Sequence, residues 1–226
     1  MRCLLIATNK ARTPYPVYPL ALACLAGALE EADHETRQFD CLGTDGDVRL
    51  ALETEVKEFN PDLIGLSIRT LDSEDSTRPE SFLDDVAVVM QWVRDCTTAP
   101  VVVGGAAFSL MPERIMELLQ PDYGVIGEGE QLLVELADAL ASDKQPNEKI
   151  LRAPLAASPW KPLCFNENIC AFYLQRGGIL NVQTKRGCPY RCAYCSYPLL
   201  EGRKIRYRDP QAVVEDVMRL EKDFQA

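Results

Sequence analysis

Short apolar runs alternate with amphipathic stretches over the first 142 residues of the chain. Strands are predicted over 3–7, 36–40, 62–68, 100–103 and 123–126, and helices over 19–31, 48–59, 81–95, 112–119 and 128–141. The last three strands are nearly continuous apolar runs, the pattern of parallel strands covered on both faces. Pro112 suits a first helical turn and is followed at once by Glu113. Leu132, Leu133, Leu136 and Leu140 line one face of the fifth helix. Five βα units in succession predict an α/β fold with a doubly wound parallel sheet, Rossmann- or flavodoxin-like, over residues 1–142.

The rhythm breaks at 143–178. A polar turn cluster begins at Asp143, and Pro154, Pro159 and Pro162 surround Trp160 without a helical period. The segment reads as a linker with room for a strand or two. A β-run at 179–184 follows. A last helix over 212–224 comes after Asp209-Pro210, a cap residue with Pro at the first helical position. One strand, one loop and one helix cannot close a core. Residues 179–226 are therefore expected to be the opening βα unit of a second domain, and the chain a fragment of a longer protein.

Composition narrows the class. Of 226 residues, 47% are apolar and 26% charged, which excludes a disordered or fibrous chain. No apolar run approaches the roughly 20 residues that span a bilayer. The amino terminus lacks a small-residue cleavage site, so a cytoplasmic protein without a transmembrane segment is expected. The net charge of -10 is unevenly spread. Residues 1–150 carry 12 basic and 27 acidic side chains, and residues 151–226 carry 12 and 7. The acidic part argues against a nucleic-acid partner. The basic part suits phosphate or carboxylate ligands, or is a solvated face.

Nine cysteines without a secretory signal do not make a disulfide framework. Cys3, Cys24, Cys41 and Cys96 are scattered through apolar segments and read as small buried hydrophobes. Cys188, Cys192 and Cys195 are clustered as C-x3-C-x2-C. Thiolates are soft ligands that favour zinc or iron–sulfur clusters. Structural zinc wants four closed ligands. Only three cysteines lie together here, with Cys164 and Cys170 the nearest fourth candidates and the sole histidine, His34, in the other unit. Three thiolates on a four-iron cube leave one iron open, which suits catalysis better than structure.

The run Thr184-Lys-Arg-Gly-Cys188-Pro-Tyr-Arg-Cys192-Ala-Tyr-Cys195 resembles the signature of the radical S-adenosylmethionine (SAM) enzymes, with Tyr194 in the aromatic position. The resemblance implies a partial (β/α) barrel, of which 179–226 would be the first unit. It also implies that Cys188, Cys192 and Cys195 hold a 4Fe–4S cluster whose fourth iron takes the amino and carboxylate groups of SAM. Tyr194 would lie near the adenine, and Gly187 would turn the backbone into the loop. Lys185, Arg186 and Arg191 would shield the cluster or lie on exposed surface.

A doubly wound sheet binds ligands at the carboxyl ends of its strands. Those ends read Ala7-Thr-Asn9, Leu66-Ser67-Ile-Arg-Thr70, Gly104-Gly105 and Gly127-Glu-Gly-Glu130. Neither the dinucleotide nor the P-loop fingerprint is present. Placed ahead of the cysteine motif, these ends resemble the cobalamin-binding domain of the cobalamin-dependent radical SAM enzymes. So do Tyr18-Pro-Leu-Ala-Leu-Ala-Cys-Leu-Ala-Gly27 and Asn60-Pro-Asp-Leu-Ile-Gly-Leu-Ser67. By that likeness Ser67, Thr70, Gly104, Gly105 and Gly127 line the pocket for the cobalamin tail, and the Thr8 loop lies under the corrin. The D-x-H-x-x-G motif of classical cobalamin domains is missing: Asp33 directly precedes His34, and Arg37 stands where Gly is needed. Base-off cobalamin without a histidine ligand is therefore expected.

The resemblance implies methyl transfer to an unactivated carbon through a 5′-deoxyadenosyl radical. A small-molecule or lipid-like substrate is implied, the latter because Ser196-Tyr-Pro-Leu-Leu-Glu-Gly-Arg203 is similar to a subgroup linked to lipid modification. A ferredoxin- or flavodoxin-type electron donor is implied too. Two alternatives stay open. One is a radical SAM enzyme of cyclising or rearranging type whose first domain recognises substrate or partner without a corrinoid. The other is a non-enzymatic zinc or corrinoid-carrier module in which Cys170 completes a metal site.

Overall fold

The computed structural model describes residues 1–73, 75, 77–153 and 160–224. The chain begins with β1 (Arg2–Ala7), α1 (Leu20–Glu31), β2 (Glu35–Asp40) and α2 (Val48–Phe59). It continues through β3 (Leu63–Ser67), α3 (Leu83–Cys96), β4 (Val101–Gly104), the short α4 (Ala106–Leu110) and α5 (Pro112–Leu119). Then come β5 (Tyr123–Ile126), α6 (Glu130–Ala141) and β6 (Ile150–Arg152). These six strands pair in parallel, in the order β2-β1-β3-β4-β5-β6. That is the doubly wound arrangement expected from the sequence, extended by one strand. Side chains alternate between two cores. Leu4, Ile6, Ile64, Leu66, Val101 and Val103 face α2, α3 and α5. Cys3, Leu5, Leu63, Val102 and Val125 face α1 and α6. Burial on both faces explains why the central strands read as continuous apolar runs.

Within 143–178 the room expected for a strand is taken by β6, but a helix, α7 (Glu167–Gly177), lies where no helical period was expected. The Asn166 side chain accepts from the Ile169 amide at 3.1 Å at its start, and Gly178 closes it with φ of 68°. With three buried positions, Ile169, Cys170 and Tyr173, its apolar stripe is too narrow to show as a sequence period. Pro154 and Pro159 lie outside the described residues. Leu163, Phe165, Ile169 and Tyr173 join Tyr18, Ala23 and Cys24 in a third apolar cluster. The backbone around Pro162 passes so close to α1 that a Cβ on Gly27 would lie 1.8 Å from the Pro162 carbonyl oxygen, and the Cys164 amide donates to the Ala23 carbonyl at 3.0 Å.

The β-run predicted over 179–184 is irregular backbone. Strand pairing is confined to β7 (Lys185–Arg186) and, after α8 (Tyr197–Leu200), the antiparallel β8 (Arg206–Tyr207). The final helix, α9 (Pro210–Phe224), starts at the predicted proline. This hairpin docks on the start of α6 through charge. Arg186, only 7% exposed, pairs with Glu128 at 3.1 Å and with Glu130. Arg206 forks onto the same Glu128 carboxylate. Trp160 lies over Arg186, 4.5 Å from ring centroid to guanidinium carbon, and over Arg208 at 5.5 Å. Arg208 in turn pairs with Asp216 of α9 at 2.6 Å. The surface position or cluster-shielding role expected for Arg186 gives way to a buried ion pair.

Two outcomes follow from this packing. Gly27→Ala has no room against the Pro162 backbone, so it should destabilise the chain by about 1–3 kcal/mol and lower Tm by several degrees. Thermal unfolding that matched the parent would show that the crossing over α1 is absent in solution. Burial acts to raise the pKa of Glu128, but hydrogen bonds and charge from Arg206 and Arg186 outweigh it and hold the carboxyl below its ordinary 4.5. The sign is therefore that of a depressed acid: its stabilisation is complete above pH 4.5 and is lost as pH falls through the lowered folded value. Glu128→Gln should be less stable than the parent at pH 7 and closer to it in strong acid, measured by urea unfolding across pH.

Candidate functional site

Strand register brings the predicted loop ends into one row. Asp40, Ala7, Ser67 and Gly104 are partners across β2, β1, β3 and β4 at the carboxyl edge. The strand order reverses between β1 and β3, so this edge holds the topological switch point where open α/β sheets bind ligands. The loops there are laced together. The Ile68 amide donates to the Gly104 carbonyl at 2.8 Å, the Ser109 hydroxyl to the Gly105 carbonyl at 2.9 Å, and the Gly127 amide to the Ser109 hydroxyl oxygen at 3.0 Å. Gly105 adopts φ of 99°, and a Cβ there would sit 2.5 Å from the Ile68 carbonyl oxygen. Only glycine fits that approach.

A cavity of about 620 Å³ opens at this edge, within the usual range of small-molecule sites. Ser67, Thr70, Gly104, Gly105 and Gly127 line one side, and Gln183, Arg186, Tyr197 and Glu201 line the other. Two parts of the chain that look unrelated in sequence thus share one cavity. Thr8 is outside the lining. It is buried, and its hydroxyl donates to the Ser67 carbonyl at 3.0 Å.

Sequence reasoning gave Asn9 no role. Its Oδ1 accepts from the Ala11 amide at 3.3 Å and from the Thr70 hydroxyl at 3.0 Å, which fixes the orientation of the amide. The Nδ2 group is then a buried donor with no partner among the described residues. An unmet donor of this kind costs roughly 1–3 kcal/mol. Asn9 is not itself in the cavity lining, but it holds Thr70, which is, and the Ser67 and Thr70 hydroxyls beside the glycine-lined wall fit a ligand carrying amide or phosphate oxygens, as a corrinoid does.

The predicted thiols lie on the hairpin loop. Gly187, at φ of 86°, lets the two arms cross, since a Cβ there would meet the Lys204 carbonyl at 2.2 Å. The Gly187 amide donates to the Glu201 carboxylate at 2.9 Å and the Cys188 amide to the Gly202 carbonyl at 3.0 Å. Cys188 and Cys195 are half-buried and Cys192 is exposed. Among the described residues no three Cys, His, Asp or Glu side chains converge on a metal-binding point. The donor set itself, three reachable soft thiols on one loop, fits an iron–sulfur cluster. Tyr194 is 92% exposed. Neither proposed fourth ligand is suited to zinc. Cys170 is fully buried in the third apolar cluster and burial pushes its thiol up to about 11. The Cys164 thiol, also pushed up to about 11 by burial and by Glu30, donates to the Glu30 carboxylate at 3.3 Å.

His34 lies at the opposite edge of the sheet. It precedes β2, with Nδ1 3.2 Å from the Met1 amino group and Nε2 3.3 Å from Asp138. It is buried. Burial and the neighbouring amino-terminal charge lower its pKa, so it is held neutral. At roughly 3.3 Å per residue, the six residues of β2 separate it from the carboxyl ends of the strands by about 20 Å. No helix among the described residues is long and apolar enough to cross a membrane.

Comparison with known proteins accounts for this layout. The B12 binding domain family matches residues 7–137. The tryptophan 2-C-methyltransferase of Streptomyces laurentii is 25% identical over 265 residues, covering 89% of this chain and 44% of that protein. The radical S-adenosylmethionine methyltransferase TsrM from Kitasatospora setae, solved with tryptophan substrate and a SAM analogue, superposes with a TM-score of 0.81 at 27% identity, over 98% of this chain and 45% of that one. Its structure with cobalamin and a [4Fe-4S] cluster gives a TM-score of 0.77 at 28% identity, over 98% and 46%. The chain thus spans less than half the length of each. With the family match running from the end of β1 to α6 and the likeness continuing through the thiol loop, this chain belongs to the B12-binding domain family, among the cobalamin-binding radical SAM enzymes.

Proposed function

We propose that this chain is the corrinoid-binding and cluster-bearing part of a cobalamin-dependent radical SAM methyltransferase acting on an unactivated carbon of a small molecule. One observation carries the reading: the cavity at the carboxyl edge is walled by the sheet loops on one side and by residues flanking the cysteine loop on the other. An enzyme that uses a corrinoid and a cluster together needs their sites adjoining. A simple corrinoid carrier has no use for the second wall.

In this reading Ser67, Thr70, Gly104, Gly105 and Gly127 hold the polar tail of cobalamin, with hydroxyls for its oxygens and close backbone approach at the glycines. Thr8 holds the Ser67 carbonyl in place beneath the corrin side of the loop, and Asn9 holds the Thr70 hydroxyl. Cys188, Cys192 and Cys195 hold the 4Fe–4S cluster, and the exposed Tyr194 ring is available to the SAM adenine. When bound, the cluster supplies an electron for cleaving SAM and the corrinoid serves as a methyl carrier; the chain positions both and excludes water. A ferredoxin- or flavodoxin-type protein is the source of electrons. Nine free thiols suit a reducing, cytoplasmic setting. Methyl transfer is preferred to cyclisation because the relatives and structures compared above are methyltransferases.

The sole histidine of the sequence stands before β2, away from the carboxyl ends of the strands, which supports a corrinoid held without a histidine ligand. Anaerobic titration of the chain with cobalamin should give a base-off absorption spectrum, and the cob(II)alamin complex should show no nitrogen splitting in EPR. A nitrogen-split signal would contradict the His34 assignment, and absence of binding by a folded chain would remove the corrinoid from the proposal. Anaerobic reconstitution should yield about four irons per chain with a brown chromophore. Replacing Cys188, Cys192 and Cys195 together by Ala should abolish it. A colourless chain that takes up zinc instead would refute the cluster.

A further inference from the structure

A chain of polar contacts joins the cavity wall to Gly187, the residue before the first thiol. Glu128 and Glu130 lie where the β5 loop enters α6, and both line the cavity. Arg206 forks onto Glu128 and donates its other hydrogen bond to the Glu201 carbonyl at 3.2 Å. The Glu201 carboxylate, itself in the cavity wall, accepts from the Gly187 amide at 2.9 Å, and the next residue is Cys188. Arg186 runs a parallel strut: it pairs with Glu128 and Glu130 and donates to the Gln183 amide oxygen at 3.1 Å.

Charge is an expensive way to glue two surfaces, since each buried ion loses its hydration and apolar packing serves stability as well or better. What a guanidinium on a carboxylate adds is direction, because the planar fork fixes angle as well as distance. We propose that Glu128, Glu130 and Glu201 are positioning residues that set the loop beginning at Cys188 at one fixed offset from the cavity. The ligand of the cavity and the cluster on the loop then meet in a single geometry. The identity of those two ligands rests on the function proposed above; the hold on the loop does not.

The test starts with the cofactor-free chain and hydrogen exchange followed by mass spectrometry. Glu201→Ala, and separately the double variant Glu128→Gln with Glu130→Gln, should speed exchange in peptides spanning 185–195 by about tenfold while β3 and β4 keep their protection. Glu201→Gln keeps an acceptor oxygen and should retain most of the protection. The charge exchange Glu128→Arg with Arg206→Glu should be better protected than either single change. Unchanged exchange over 185–195 in both loss variants would overturn the proposal.

A second readout separates positioning from mere anchoring. In the chain carrying reduced cluster and cob(II)alamin, dipolar EPR should give one narrow inter-spin distance in the parent and a broad distribution in the double variant. An equally narrow distribution in both would overturn the positioning role even if exchange had risen. A parent that binds no cobalamin but shows the expected exchange pattern would refute the proposed function and still support the hold on the loop.

Discussion

The attachment of the β7–β8 hairpin to the sheet domain depends on one buried electrostatic contact, the pairing of Arg186 and Arg206 with Glu128 and Glu130. The two-residue strands β7 and β8 bury little apolar surface and cannot hold themselves in place. Their arginines do that, and Trp160 covers the guanidinium face of Arg186, and of Arg208 just after β8, as a cation–π lid. Removing one member of such a pair leaves a buried charge uncompensated, which costs about 3–5 kcal/mol. The contact therefore has little tolerance for slippage. The uneven charge of the chain finds its physical meaning here, because the acidic first part and the basic last part meet at this joint.

The sheet supplies the opposing constraint. Parallel pairing puts every carboxyl end at one edge, and the reversal of order between β1 and β3 opens that edge. Glycine at 105 lets the backbone turn where any side chain would strike Ile68. The loops are then tied by Ser109 and by the Asn9–Thr70 contact, so the wall is stiff before any ligand arrives. A stiff wall on one side and an ion-paired hairpin on the other make the cavity a joint between two units.

Much of this was legible in sequence, for physical reasons. The five βα units were readable because strands buried on both faces leave continuous apolar runs and amphipathic helices leave stripes. The thiols were readable because three soft ligands at fixed spacing have few other uses. The helix α7 was not, since it buries only three side chains and sits among prolines. Arg186 was misplaced because a lone arginine beside a cysteine motif looks solvated; its partners lie more than 50 positions away, and nothing local marks them. Asn9 was quoted as part of a strand end without a role, because an unmet donor is a property of three-dimensional packing. The predicted strand at 179–184 failed because β-propensity needs a neighbour, and only Lys185 and Arg186 find one.

Burial also sets four of the nine cysteines apart, and this bears on how a cluster could be loaded on the right three. The thiolate is the metal ligand, so a thiol that resists deprotonation competes poorly for iron. Burial pushes Cys3 and Cys170 up to about 11, and Cys24 and Cys41 up to about 12. Cys164 is raised to about 11 by burial with Glu30 beside it, and Cys96 is raised as well, by burial and then by Glu53. Cys3, Cys24, Cys41 and Cys170 are thus held protonated by the same packing that builds the sheet and the third cluster, while Cys96 and Cys164 are half-buried. Cys188, Cys192 and Cys195 sit instead on a loop that water and iron can reach. Selectivity for the signature thiols therefore need not come from the signature alone; the fold disarms the four buried thiols.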